Sequence, residues 1–166
     1  MTQPYRIALV CLGNICRSPT AEVVVRKRLA DAGLDGRVEV DSSGTGRWEV
    51  GNPIDSRAGH LLGEHGYELG EHTARQFAAE WFDRYDLVLA MDGNNFADLD
   101  AIAPTEDSRA KLRMFRSFDP QAGEHDDEVP DPWYGGPDGF VEVLAMVERT
   151  SDAIVAELAG RSAGTG

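Results

Sequence analysis

The run Arg6-Ile7-Ala8-Leu9-Val10-Cys11 is apolar, short, and leads through Leu12-Gly13-Asn14-Ile15-Cys16-Arg17 into Ser18-Pro19. A run of that length and composition suits a strand buried on both faces. Ser18 stands where an N-cap belongs and Pro19 at the first helical position. Ala21, Val25, Leu29 and Ala32 then recur at helical spacing, and Gly33 ends the helix. A strand covered on both faces needs strands beside it and helices above and below. This opening unit of strand, tight loop and capped helix therefore predicts an α/β fold with a parallel sheet.

The remainder repeats the alternation. Residues 38–42 read as a second strand entering the loop Ser43-Gly44-Thr45-Gly46, and residues 55–65 as a helix closed by Gly66. Thr73 caps a short helix through Phe82; residues 86–90 form a third strand, 94–102 a helix, and 111–114 a weaker fourth strand. The stretch 119–139 carries four prolines and many acids and reads as a long surface loop. Phe140, Val143, Leu144, Val147, Ile154 and Leu158 share one face of a final helix, and residues 161–166 read as a frayed tail behind a single domain of residues 1–160. In such sheets ligands sit beyond the carboxyl ends of the strands, and the first strand ends at Cys11.

Composition narrows the function. With 16 basic and 29 acidic residues the formal net charge is -13, which disfavours nucleic acid and an anionic membrane surface as partners. Any phosphate that binds does so by local geometry against a repulsive field. No apolar run reaches the roughly 20 residues that span a bilayer, and Met1-Thr2-Gln3-Pro4-Tyr5 lacks the basic and apolar segments of a signal peptide, so none is expected. Two cysteines, Cys11 and Cys16, cannot build a disulfide framework, so a reducing cytoplasm is the expected compartment, with non-classical secretion left open. No second Cys/His pair follows at zinc-site spacing, and no metal or other cofactor is expected. A monomer is the plain expectation.

The loop between the first strand and helix carries the chemistry. Five residues separate Cys11 from Arg17. Running into a helix N-terminus, the loop should gather backbone N–H groups around a small concavity with the positive end of the helix dipole beneath it. Such a nest suits a tetrahedral oxyanion. Gly13 is expected to supply a backbone conformation that a side chain resists. Arg17 adds a planar fork matched to two phosphate oxygens, and the same field favours a Cys11 thiolate, a nucleophile. The alternative for each residue is structural: a buried strand-end cysteine and an ordinary surface arginine.

Cys-Leu-Gly-Asn-Ile-Cys-Arg-Ser-Pro, followed by Ala21-Glu22, resembles the signature of low-molecular-weight protein tyrosine phosphatases. Asp41-Ser42, Gly51-Asn52-Pro53, His72 with Ala74-Arg75-Gln76, Met91-Asp92 and Ser117-Phe118-Asp119-Pro120 are similar to further family segments, and Asp131-Pro132-Trp133-Tyr134-Gly135 to its general-acid loop. The resemblance covers nearly the whole chain. It implies a three-layer α/β/α fold with a four-stranded parallel sheet, and hydrolysis of phosphotyrosine or small aryl phosphates without metal, with inorganic phosphate as a competing anion. It implies Cys11 as nucleophile through a phosphocysteine, Arg17 and the N–H groups of Leu12, Gly13, Asn14, Ile15 and Cys16 as oxyanion ligands, and Asp131 as general acid and then base. Ser18 would hydrogen-bond the Cys11 sulfur, Asn14 and Ser42 would hold the loop, and His72 would support it. Trp48 would form one wall of the pocket mouth, with Trp133 and Tyr134 opposite. The family commonly has two tyrosines after the Asp-Pro pair, and Trp133 takes the first position here.

From the residues alone Asp131 sits in an acidic stretch with Asp126, Asp127 and Glu128, where like charges favour the protonated carboxyl that a donor needs. Cys16 reads either as a redox partner of Cys11 or as a small packing residue. Three rival readings share parts of the pattern. A thiol-dependent arsenate reductase needs further cysteines after Cys16, which the chain lacks. A non-catalytic phospho-ligand module would have lost turnover, but Cys11, Arg17 and Asp131 are all present. A cysteine-phosphorylated sugar-transport subunit would need neither Arg17 nor Asp131.

Overall fold

The computed structural model describes residues 3–132 and 136–164. Four parallel strands, β1 (Tyr5–Cys11), β2 (Val38–Gly44), β3 (Leu87–Ala90) and β4 (Leu112–Met114), lie in the order β2-β1-β3-β4. The helices are α1 (Arg17–Asp31), α2 (Ser56–Glu64), α3 (Gly93–Ile102), α4 (Glu106–Ala110) and α5 (Gly136–Gly164). Alternation along β1 sorts the two layers. Ile7, Leu9 and Cys11 face a core shared with Val24 and Leu29 of α1 and with Val143, Val147 and Ile154 of α5. Ala8 and Val10 face the other side, against Phe77, Phe82 and Leu99 of α3. The register aligns Cys11 with Gly44, so the carboxyl ends of β1 and β2 finish side by side under the loop that follows β1.

Several boundaries differ from the sequence expectation, each for a physical reason. Helix α1 begins at Arg17 with Cys16 as N-cap, which puts Ser18 and Pro19 inside its first turn. That turn has no intrahelical use for its N–H groups, so a proline there costs no bond, and Ser18 is released for another role. The helix expected at 73–82 does not form; a 3-10 turn covers Ala79–Arg84 instead. Its backbone groups are engaged over long range: Ala74 N–H donates to Asn52 O, Gly44 N–H to Arg75 O, and Phe77 N–H to Gly44 O. The short helix α4, capped by Thr105, was not anticipated. Helix α5 starts at Gly136, within the expected loop, and runs past Gly160 to Gly164, where Arg161 pairs with Glu157 one turn back at 3.1 Å. Caps at Asp55 and Asp92 hold the starts of α2 and α3 through the N–H groups of Arg57 and Asn95.

The polar stretch after β4 is pinned by a buried ionic cluster. Arg116 and Asp119 are 1% and 4% exposed. Arg116 Nε donates to Asp119 at 2.9 Å, and Arg149 of α5 donates to the same carboxylate at 2.7 and 2.9 Å. Arg116 also donates to Asp126 Oδ1 and Glu128 O. Burial by itself raises the Asp119 carboxyl, but bonds from Arg149, from the Gln121 N–H and from Arg116 hold it well below the usual carboxylate range. Because the folded value lies below the unfolded one, its contribution to stability is complete above about pH 4 and is lost as the pH falls towards the folded value. Asp119→Asn should cost about 3–5 kcal/mol at pH 7, since it leaves a buried guanidinium short of its counter-charge. Urea unfolding at a series of pH values should show the gap to wild type narrowing in strong acid; a constant gap would mean the bridge is not the cause.

Candidate active site

The loop from Cys11 to Arg17 is held from outside by its carbonyl groups. Thr45 N–H donates to Cys11 O, Gly46 N–H to Leu12 O, Asp55 N–H to Ile15 O and Thr20 N–H to Cys16 O. His72 Nε2 lies 2.7 Å from Asn14 O, so that nitrogen carries the proton. A trans peptide points its N–H opposite to its C=O. With the carbonyls drawn outward, the amide N–H groups between them turn inward, and no side chain caps the first turn of α1. The result is a concavity of positive dipoles at the mouth of β1.

Asn14 is the hub of the loop. It is the one non-glycine at positive φ among the described residues, with φ 59°, a conformation asparagine tolerates better than most residues. The left-handed turn thus falls on Asn14 and not on Gly13, whose constraint is space: a Cβ there would meet Glu49 at 3.2 Å. Asn14 is fully buried and uses every polar atom. Its N–H donates to Cys11 Sγ at 3.3 Å, and its Nδ2 to Ser18 Oγ at 2.9 Å and Ser42 Oγ at 3.0 Å. Its Oδ1 accepts from Arg75 N–H at 3.0 Å, and the Ser42 O–H donates to Glu22 Oε1 at 2.7 Å. Gly44 is required beneath this arrangement, since a Cβ would come within 2.6 Å of Leu12 O.

Cys11 is 3% exposed. Its sulfur lies 3.0 Å from Ser18 Oγ, so the sulfur meets one hydroxyl and one backbone N–H. Arg17 is equally buried, and NH1 donates to Asp92 at 2.7 Å and to Val129 O at 3.0 Å. Desolvation works against its charge, but Cys11, the Asp92 bond and Asp131 more than offset it, raising its pKa further. Its other terminal nitrogen lies 3.9 Å from Asp131 Oδ2. Burial pushes the Cys16 thiol well above its ordinary range, with Cys11, Asp55 and Asp131 adding to the effect; this thiol stays protonated.

Cys11, Leu12, Gly13, Ile15, Cys16, Arg17, Trp48 and Asp131 line one cavity of about 250 Å³. Asn14, Ser18, Ser42 and His72 stand behind the loop and act on it, not on the cavity. Trp133 and Tyr134, the expected opposite wall, lie outside the described residues. Two of the acidic neighbours named for Asp131 are engaged elsewhere: Asp126 is held by Arg116, and Glu128 Oε2 accepts the Gly93 N–H at 2.6 Å. Asp131 forms an ion pair with Arg17. Sequence reasoning missed Glu49, a carboxylate on the cavity wall, because it follows Trp48 with no periodic or motif signal. It also missed the role of Asp92, whose position just before a helix was the available sign.

A cysteine sulfur within hydrogen-bond distance of a hydroxyl and a backbone N–H, with a buried guanidinium and a carboxylate around the same cavity, fits a cysteine-based phosphoryl-transfer site at the end of a parallel sheet. Comparison with known proteins narrows the class. The family described as low molecular weight phosphotyrosine protein phosphatase matches residues 6–163. A low molecular weight protein-tyrosine-phosphatase of Streptomyces coelicolor is 50% identical over 163 residues, covering 96% of this chain and 99% of the relative. Low molecular weight protein-tyrosine phosphatase A of Mycobacterium bovis is 42% identical over 148 residues, covering 89% and 88%. Among solved structures, the protein tyrosine phosphatase of Entamoeba histolytica with Hepes in the active site aligns with a TM-score of 0.88 at 32% identity, covering 95% of this chain and 99% of that one. YfkJ of Bacillus subtilis aligns at 0.89 and 30% identity, covering 96% and 98%. The chain belongs to the low-molecular-weight phosphotyrosine protein phosphatase family and is a hydrolase.

Proposed function

We propose that the protein hydrolyses phosphotyrosine in proteins, and small aryl phosphates, in two steps at this cavity. The observation that carries the reading is the convergence of Cys11, Arg17 and Asp131 on one space of about 250 Å³. In the first step the Cys11 sulfur attacks phosphorus, the P–O bond to the aryl group breaks, and the Asp131 carboxyl gives its proton to the departing phenolate oxygen. In the second, the Asp131 carboxylate takes a proton from water, the water oxygen attacks phosphorus, and the P–S bond breaks to release phosphate and the Cys11 thiolate. Asn14 N–H and the Ser18 hydroxyl, both within hydrogen-bond distance of the sulfur, stabilise the thiolate as leaving group by donating to it. Arg17 and the inward N–H groups neutralise the charge that grows on the equatorial oxygens. Inorganic phosphate, the product, competes for the same loop.

No helix among the described residues is long and apolar enough to cross a membrane. A monomer in a reducing bacterial cytoplasm fits the chemistry, because Cys11 has to remain a thiol, and it fits the bacterial relative at 50% identity. A net charge of -13 makes nucleic acid and anionic membranes poor partners.

The test is the leaving-group dependence of Asp131→Asn. On p-nitrophenyl phosphate, with chelator present, kcat should fall about 10²–10⁴-fold. With 2,4-dinitrophenyl phosphate, whose phenolate leaves without a proton, the deficit should shrink to roughly tenfold or less on the same reasoning. An equal loss on both esters would remove Asp131 from the acid's role.

A further inference from the structure

Trp48 divides two concavities. One holds Cys11 and Arg17; on the other side a groove of about 630 Å³ runs from Leu12 and Trp48 past Phe77 and Ala79 to Leu99 and Ile102. The indole packs over Gly46, where a Cβ would come within 2.6 Å of the ring, so a missing side chain seats the partition. Leu12 and Trp48 line both spaces. Leu12, Trp48 and Ile102 expose 38%, 67% and 41% of their surfaces, an apolar patch continuous with the catalytic pocket. Hydrolysis as described uses the first space and leaves the second without work.

We propose that this groove is a substrate subsite that receives an apolar side chain two residues from the phosphotyrosine of a protein substrate; the proposal rests on the phosphatase reading and adds a sequence preference to it. An extended peptide advances about 3.3 Å per residue and turns successive side chains to opposite faces. With the phosphotyrosine ring on one side of the Trp48 indole, the residue two positions along, about 6.6 Å away and on the same face, reaches the other. Ala78 and Ala79 leave the groove wide, Phe77 and Leu99 give it an apolar lining, and Asp98 is the one charged residue among those that line it. Gln76 Nε2 donates to Thr45 O at 3.1 Å and ties its edge. A second copy of the chain is the poorer occupant, since each copy carries a net charge of -13.

The experiment compares phosphotyrosyl peptides bearing leucine or alanine at each of the two positions before and after the phosphotyrosine. In wild type, leucine at one of them should raise kcat/KM about tenfold, which corresponds to about 1.4 kcal/mol. Ala79→Glu and Ile102→Glu, made separately, should erase that advantage while p-nitrophenyl phosphate, too small to reach the groove, is hydrolysed as by wild type. Equal rates for leucine and alanine peptides in an enzyme active on p-nitrophenyl phosphate would overturn the subsite alone, and so would a preference that survives both variants. An enzyme inactive on p-nitrophenyl phosphate would bring down the phosphatase reading, and the subsite with it. Sedimentation of the same proteins separates the other occupant: a wild-type dimer that Ile102→Glu dissolves would give the groove to a second copy.

Discussion

Cys11→Ser should lose hydrolysis of p-nitrophenyl phosphate by about four orders of magnitude or more, the scale expected when the nucleophile of a concerted site is removed. The substitution changes little else. Serine is smaller than cysteine by part of an atom's volume, its hydroxyl can still meet Ser18 Oγ and Asn14 N–H, and the loop is held by its carbonyls from outside. What disappears is an accessible anion, because an alcohol ionises far above neutral pH while a thiol does not. Phosphate binding, followed by calorimetry, should persist in the variant. The two readouts together separate lost chemistry from a lost site. A Cys11→Ser protein as fast as wild type would overturn the cysteine mechanism.

Arg17→Lys should fall roughly a thousandfold or more in kcat/KM, in line with the loss of a bidentate arginine on a transferring phosphoryl group. The guanidinium has two tasks at once. NH1 is occupied by Asp92 and Val129 O, which leaves its remaining N–H groups for the anion. An ammonium keeps the charge but is a single point with a shorter reach, and cannot serve both sides. Arg17→Ala should lose at least as much activity and also stability, about 3 kcal/mol, because the half-buried Asp92 carboxylate and the buried Val129 carbonyl lose their donor. Steady-state kinetics beside urea unfolding checks both. Retained kcat/KM in Arg17→Ala would remove it from transition-state binding.

The reaction centre divides into a part legible in sequence and a part that was not. Strand β1, its loop and α1 are contiguous, so the apolar run and the helical period could be read together over residues 6–33, while the cap expected at Ser18 falls on Cys16 and the turn expected at Gly13 on Asn14. The caps at Asp55 and Asp92 and the amphipathic face of α5 were similarly open to local reading. The segment after Thr73 misled because its composition suits a helix, while its N–H and C=O groups bond Gly44, Asn52 and Asn14 far along the chain. The placement of Asp131 came from resemblance alone. Asp126 and Glu128, close to it in sequence, prove to be turned towards Arg116 and the start of α3.

By itself the sequence determined the periodic elements and the Cys11–Arg17 loop, because a hydrophobic period, a cap and a five-residue spacing act within a few residues of one another. Tertiary structure decided where those groups point. Arg17 is oriented by Asp92 and Val129, 75 and 112 positions away. The left-handed turn sits on Asn14 and not on Gly13 because Ser42 and Arg75 satisfy the asparagine side chain there. Asp131 lines the cavity with Cys11, and Arg116, Gly93 and Met91 fix the chain just before it. Partners so distant leave no periodic trace in a sequence; burial and the need to pair every buried polar group select them only once the chain has closed.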